Sequence, residues 1–385
     1  MNSDVRRAAL DLAGRLSMAR HHIMKQNEFR CHDVAEGLLE LDTFNDHMNE
    51  DPGFGYSLRS FLLYAQLGDA NHRQAGLFLE RRDASFALGL FAKDAMIHAH
   101  IVSPRGKNWG PRVSAFSKWL LNNSLVDRVY VRHLAPSDAA ALSGFESIKE
   151  CNAWVSGAPL EDETFNHRVV SLNCLVGFNE DGLLCVNNVQ GDGSGNFRSK
   201  FRLAFQRCRN FLNRNHLSFS LRALQTEDLS SVRLLVEDHF ATLERAGKAL
   251  GSTALDYERL LATHLGDDER LLSVVGVLSH GDREIIASVF LGERTGPFRG
   301  GLYCSITNRS PQYFRTIFRE EPDLTGLTAL PQYALACVFG LMTKRGWLEV
   351  DLGGSETQEL DRFKRQMGAK RLDTTWMVRT SETSF

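Results

Sequence analysis

The sequence predicts an α+β fold with mixed central sheets flanked by helices. Three observations carry the prediction. Residues 76–135 read as several strands, a helix and a further strand. Residues 197–379 follow a longer version of the same plan. Within the second stretch a helix over 331–345 connects two strands, and a crossover of that kind joins parallel neighbours. Runs of strands followed by a helix, a strand, a helix and a strand define the α+β class rather than an alternating one.

Residues 1–50 read as helical with a weak apolar stripe, Asp51-Pro52-Gly53 as a break, and 58–67 as a second helix. Residues 1–75 therefore form an N-terminal helical region that could serve a homodimer. Strands are expected over Leu77–Leu79, Ser85–Phe91 and Ala95–Val102, separated by Arg81-Arg82-Asp83 and Lys93-Asp94. A loop follows over 103–107. Pro111 opens a helix to Asn122, since proline is tolerated in a first turn, and Val126–Val131 is the next strand. The first lobe is placed at 76–190.

Gly191-Asp192-Gly193-Ser194-Gly195 matches no phosphate-binding glycine motif and reads as a loop between lobes. The second lobe is placed at 191–385. It opens with a basic helix over 197–213 and a strand over 217–221. Helices are expected over 226–246 and 257–264, then strands over 271–278, 284–291 and 301–306. The helix from Pro331 ends at Gly346, with Lys344 and Arg345 suiting its negative pole. Trp347–Leu352 is a strand, Gly353-Gly354-Ser355 a turn, 356–367 a helix closed by Gly368, and 371–378 the last strand.

The chain has 385 residues, 43% hydrophobic and 24% charged, with a formal net charge of −2. Such a length supports two or three domains, and the charge argues against a globally basic nucleic-acid binder. Seven cysteines without a CxxC pair argue against a disulfide framework and fit a reducing compartment. The N-terminus lacks an apolar signal region. The apolar stretch 330–342 is shorter than the ~18 residues of a membrane span. A cytoplasmic protein with no transmembrane segment is the expectation. His98 and His100 share one side of a strand, but no third ligand is visible, so no metal site is expected.

Trp347–Ala369 reads WLEVDLGGSETQELDRFKRQMGA. The segment resembles the closing signature of Fem-type aminoacyltransferases of the GNAT superfamily. There a strand ends in Asp-Leu-Gly-Gly, and the following helix carries Phe-Lys and then Gly. These are Asp351, Leu352, Gly353, Gly354, Phe363, Lys364 and Gly368. A weaker resemblance, to the catalytic domain of lysylphosphatidylglycerol synthases, rests on the basic segment Phe197–Arg202. The resemblance implies tandem GNAT-like lobes, the first degenerate and the second catalytic. It also implies transfer of an aminoacyl group from aminoacyl-tRNA to an amine or hydroxyl of a small-molecule or peptide acceptor.

Within that reading Lys364 stabilises the oxyanion of the tetrahedral adduct or binds the terminal adenosine, and Phe363 belongs to the same substrate-binding segment. Asp351 ends a strand, where it either contacts the acceptor or caps the turn by accepting from the backbone of Gly353 or Gly354. Those glycines allow positive φ or close ligand approach, and Ser355 is placed to cap the next helix. Around the helix 197–213, Phe197, Phe201, Phe205, Cys208, Phe211 and Leu212 fall in one arc. Arg198, Arg202 and Arg209 border one side of it; Lys200, Arg207 and Arg214 border the other. With no acid between Phe197 and Gln225, the helix suits the phosphates of a tRNA acceptor stem.

No cofactor is expected beyond the aminoacyl-tRNA co-substrate. An acyl-CoA-dependent N-acyltransferase is the alternative. It would need a pantetheine-cradling bulge within 284–306, and the usual pyrophosphate loop has no clear match. A non-catalytic module that docks RNA or protein is the further alternative.

Overall fold

The computed structural model describes residues 3–33, 75–148 apart from 94–95, 168–186 apart from 181, 195–245, 261–315 apart from 262–263 and 266–268, 324–353, 358–371 and 374–380. The expected break at 51–53, the helix over 58–67, and most of the loop 191–195 and of the helix 257–264 lie outside these residues.

Among the described residues run six longer helices: α1 (Ser3–Lys25), α2 (Trp109–Asn122), α3 (Gly195–Arg214), α4 (Leu229–Arg245), α5 (Leu330–Lys344) and α6 (Gln358–Gln366). The strands up to the start of α3 are β1 (Arg30–Asp33), β2 (Ala75–Arg81), β3 (Ala84–Lys93), β4 (Met96–Arg105), β5 (Arg128–Leu134), β6 (Glu146–Ile148), β7 (Arg168–Ser171), β8 (Val176–Phe178) and β9 (Leu184–Val186). Those after it are β10 (Leu217–Ala223), β11 (Leu271–His280), β12 (Arg283–Arg294), β13 (Arg299–Thr307), β14 (Glu349–Asp351), β15 (Lys370–Arg371) and β16 (Thr375–Thr380). The chain divides into two compact units. Met1–Phe165 with Asp373–Phe385 form one, and Asn166–Leu372 the other.

In the first unit the strand order is β1-β2-β3-β4-β5-β16-β6. Among the described strands only β4 and β5 pair in parallel, and α2 makes the crossover between them. One face buries Ile97, Ala99, Ile101, Val129 and Val131 under Leu16, Ala19 and Ile23 of α1 and Val113, Phe116 and Leu120 of α2. Alternation sends the intervening residues to the other face. There His98, His100, Tyr130 and Trp376 are all buried. The rings of His100 and Tyr130 lie 5.0 Å apart, and the Arg132 guanidinium sits 4.4 Å over Trp376.

In the second unit the order is β10-β11-β12-β13-β14-β7-β15, with β13 and β14 parallel across the crossover helix α5 as expected. Phe201 and Phe205 of α3 and Ala334, Val338 and Phe339 of α5 pack with Val274, Phe290, Leu302 and Val350 on one face. On the other face Val232, Leu235 and Val236 of α4 pack with Val275, Val289, Leu291 and Ile306. A 3₁₀ turn, Leu324–Ala329, runs straight into α5 and lies against α3. Gly326 allows that approach, since a Cβ there would stand 2.2 Å from Phe211. The joined segment Gly326–Lys344 is 19 residues long and apolar enough to span a membrane by composition, longer than the stretch read from sequence. Its window is 67% buried inside the fold, which accounts for its apolar character.

The structure corrects the strand expected over 371–378. Lys370–Arg371 pairs with β7 in the second sheet, and Thr375–Thr380 pairs with β5 and β6 in the first. Conversely Arg168–Ser171, read from sequence with the first lobe, pairs with β14 in the second sheet. Each sheet is thus completed by a strand remote in sequence. Residues 1–50 are not helical throughout: Arg30–Asp33 is a strand paired with β2, and α1 packs into the core of the first unit rather than forming a separate region. Smaller corrections concern ends: β4 continues to Arg105 through the expected loop, and the long helix begins as a 3₁₀ turn, Thr226–Asp228, before α4. Each seven-stranded sheet is mixed, with one parallel pair among its described strands, so the architecture is α+β with two lobes of one plan.

Burial pushes the His100 imidazole well below its ordinary pKa, with Arg132 and His98 adding to the effect. It therefore folds neutral. Its contribution is complete above the unfolded histidine pKa of about 6.5 and is lost as pH falls below that value, where only the unfolded chain binds the proton. Urea unfolding from pH 8 to pH 5 should show stability falling on the acid side, and His100→Gln should flatten that fall.

Candidate functional site

The three-residue strand β14 lies between β13 and β7 and ends at Asp351, which is 2% exposed. Its Oδ1 accepts a 2.7 Å hydrogen bond from the Gly353 N–H, so the aspartate caps the turn. Gly353 adopts φ +71°, a left-handed conformation natural to glycine. Its carbonyl accepts from Lys364 Nζ at 3.1 Å and from the Arg168 N–H at 3.3 Å. Asp351 and Lys364 thus meet at opposite ends of one residue.

Helix α6 delivers the lysine. Its partly buried Phe363 packs against the apolar core, as does Met367 just beyond its end, and Lys364, beside them, is 7% exposed. One turn earlier Asp361 accepts two hydrogen bonds from the Arg168 guanidinium, 2.9 and 3.1 Å long. The Arg168 carbonyl in turn accepts from the Leu352 N–H. Arg168 therefore holds the turn through its backbone and α6 through its side chain. A bidentate pair of this kind fixes orientation as well as distance.

Of the residues expected at the site, Asp351, Gly353 and Lys364 come together. Phe363 packs against core residues, and Gly354 and Ser355 lie outside the described residues. Sequence reading missed Arg168, Asp361 and Glu293. Glu293 pairs with Gly301, which pairs with Asp351, so the three occupy one row across β12, β13 and β14. Val350, next to Asp351, belongs to the core on the α5 face, so the row faces the α4 side. Glu293 is 1% exposed, and Gly301 places no side chain between the two carboxylates. The available signal was a charged residue at an inward position of a strand.

The cationic helix lies next to α6, which packs against it. Phe201, Phe205, Cys208, Phe211 and Leu212 are buried, matching the predicted arc. Lys200, Arg207 and Arg214 are exposed, and Arg202 and Arg209 half-buried. The Arg198 side chain lies outside the description. Arg209 rests over the Phe205 ring at 5.7 Å. Among the described residues none of these cations forms an ion pair, and the buried Nε of Arg202 has no hydrogen-bond partner. A shallow depression of about 580 Å³ runs along the outer face, lined by Leu203, Gln206, Arg207, Asn210, Asn213 and Arg214.

On β13 the register shifts. Leu291 pairs with Cys304 and Gly292 with Leu302, which leaves Tyr303 as an extra residue. The pairing with β14 ends at Gly301.

The chain shares its fold with FemX. The two are 12% identical with a TM-score of 0.58, over 89% of this chain and 96% of FemX. A conserved protein of unknown function from Bacteroides thetaiotaomicron VPI-5482 is similar over 92% of this chain and all of its own, at 11% identity and a TM-score of 0.56. So is a C-terminal domain assigned to a lysylphosphatidylglycerol synthetase of Agrobacterium fabrum, at 11% identity and a TM-score of 0.50, over 91% and 93% of the two chains. No family model matches the sequence, and no curated protein matches it significantly. At such low identity the FemX likeness establishes the architecture.

A Cβ on Gly353 would meet nothing within 4 Å, so Gly353→Ala tests backbone conformation without a clash. Its cost should be about 1–2 kcal/mol in urea unfolding, the usual cost of a left-handed non-glycine residue.

Proposed function

We propose that this chain is a cytoplasmic acyltransferase that moves an aminoacyl group from aminoacyl-tRNA to an amine or hydroxyl of a small-molecule or peptide acceptor. The observation that carries this reading is the pairing of two features. One is a helix whose cations have no acidic partners among the described residues. The other is the neighbouring helix, which delivers a buried lysine to the Asp351–Gly353 turn. The exposed Arg207 and Arg214, with Gln206, Asn210 and Asn213, offer donors without a carboxylate, which suits phosphate and sugar contacts. Lys364 lies one helix away, where the acylated end of the tRNA would be worked on. Attack on the ester creates an oxyanion, and an ammonium fixed beside it lowers the barrier. Its hydrogen bond to Gly353 holds the ammonium in place for that role.

A second reading, with acyl-CoA as donor, is favoured by the extra residue Tyr303 and by the parting of β13 from β14 beyond Gly301. Such an opening could cradle pantetheine. The start of α5 counts against it. The 3₁₀ turn runs into that helix, so its first N–H groups face the carbonyls of the turn, and Pro331 has none. That end is poorly equipped to receive a pyrophosphate.

The deciding experiment supplies the protein with total tRNA charged with labelled amino acids and, in parallel, with labelled acyl-CoAs, using cell extract as acceptor. Protein-dependent loss of label from a charged tRNA supports the first reading. Loss from acyl-CoA alone replaces it with the second, and silence with both overturns the two. In the active assay Lys364→Ala should lower kcat about 10²-fold with little change in KM; wild-type turnover would remove the lysine from the mechanism. Arg207→Glu and Arg214→Glu should weaken tRNA binding and each reduce the slope of log K against log salt by about 1, measured by filter binding.

A further inference from the structure

The sheet face that carries Asp351 and Glu293 also holds a hydrogen-bonded chain of three side chains to which neither reading above gives a catalytic part. The Tyr303 hydroxyl meets His264 Nε2 in a short contact, and His264 Nδ1 lies 3.2 Å from Ser273 Oγ. Tyr303 stands on β13 and Ser273 on β11, with β12 between them. His264 bridges the two from the segment beyond α4 and is 3% exposed. The tyrosine and histidine rings are 5.4 Å apart.

The register shift in β13 sets the position of Tyr303. As the extra residue it turns toward the α4 side and packs, partly exposed, against the apolar cluster there. A bulge commonly re-aims a side chain beside an active site. Tyr303 lies two residues beyond Gly301, where β13 has left β14, and Gly301 is the residue flanked by Asp351 and Glu293. The phenol therefore stands at the opening between the two strands, on the face of the buried carboxylates, with an imidazole behind it.

We propose that Tyr303, backed by His264 and Ser273, relays the proton of the attacking amine. The inference rests on the acyl-transfer reading and holds for either donor. In the tautomer that fits, the phenol donates to His264 Nε2 and His264 Nδ1–H donates to Ser273. As the neutral amine nitrogen forms its bond to the acyl carbon, its N–H proton passes to the Tyr303 oxygen while the phenol proton moves to His264. The adduct then breaks its bond to the ester oxygen, or to the thioester sulfur. That leaving atom takes a proton back along the same path, and the relay returns to its starting state. Tyr303 is the catalytic residue of this step; His264 and Ser273 position and charge it.

The test measures kcat and KM from pH 5 to pH 9 for the full chain and for Tyr303→Phe, His264→Gln and Ser273→Ala, with thermal melts as a fold check. The donor and acceptor extract are those that support turnover in the assay above. Wild type should lose rate on the acid side as the imidazole becomes protonated. Tyr303→Phe should lose about 10²-fold or more in kcat with KM retained, together with the acid limb. His264→Gln should do the same, and Ser273→Ala should shift the limb. Tyr303→Phe turnover within threefold of wild type on the same pH profile overturns the relay and leaves the proposed function standing. If that variant melts at the assay temperature, an unchanged acid limb in His264→Gln overturns it instead. Wild type silent with both donors overturns function and relay together.

Discussion

A strand in the interior of a sheet must satisfy its backbone N–H and C=O groups on both edges, and in this protein neither sheet does so with contiguous sequence. Strand β5 has β4 on one side and the last described strand, β16, on the other. Strand β14, only three residues long, has β13 on one side and β7 on the other. An unpaired buried ladder costs too much to persist, so each unit depends on a strand from elsewhere in the chain. These strands also bring side chains against distant residues. β7 brings Arg168 beside the Asp351–Gly353 turn, and β16 brings Trp376 over Tyr130 and the buried histidines.

The turn after β14 shows how packing and polar bonding act together. Phe363 and Met367 anchor the region of α6 in the apolar core, while Arg168 and Asp361 fix its approach. Lys364 is held between these constraints and reaches a carbonyl instead of water. Burying an ammonium is costly unless it is hydrogen-bonded, so the Gly353 carbonyl and the lysine depend on each other. The same turn needs a residue content at positive φ, which Gly353 supplies.

Polar groups are distributed unequally between the two faces of the second sheet. The α3 and α5 face is apolar, and its charges lie on the outer surface of α3. The α4 face combines an apolar cluster with Glu293, Asp351, His264, Ser273 and Tyr303 near the place where β13 and β14 part. In the function proposed above, the cationic surface would meet the polyanion and the buried polar site the reacting groups, a division of labour suited to a large, charged donor.

Local pattern alone made much of this visible. The strand and helix periodicities gave most elements to within a few residues, the apolar arc of α3 matched its buried face, and the Asp-Leu-Gly-Gly and Phe-Lys spacing marked Asp351, Gly353 and Lys364. The elements and the arc are consequences of side-chain alternation and helical repeat, which act over a few residues, whereas the turn residues were marked by the resemblance to Fem-type aminoacyltransferases. Short strands such as β6 and β7 carried too little periodicity to be seen. Arg168, Asp361, Glu293 and Tyr303 stand out only through partners or register set far away in sequence. The sequence by itself determined the class of fold and the order of its longer elements, and marked the turn. The tertiary structure decided which sheet each end strand joins, and which buried side chains meet, because strand pairing and burial depend on contacts between residues hundreds of positions apart.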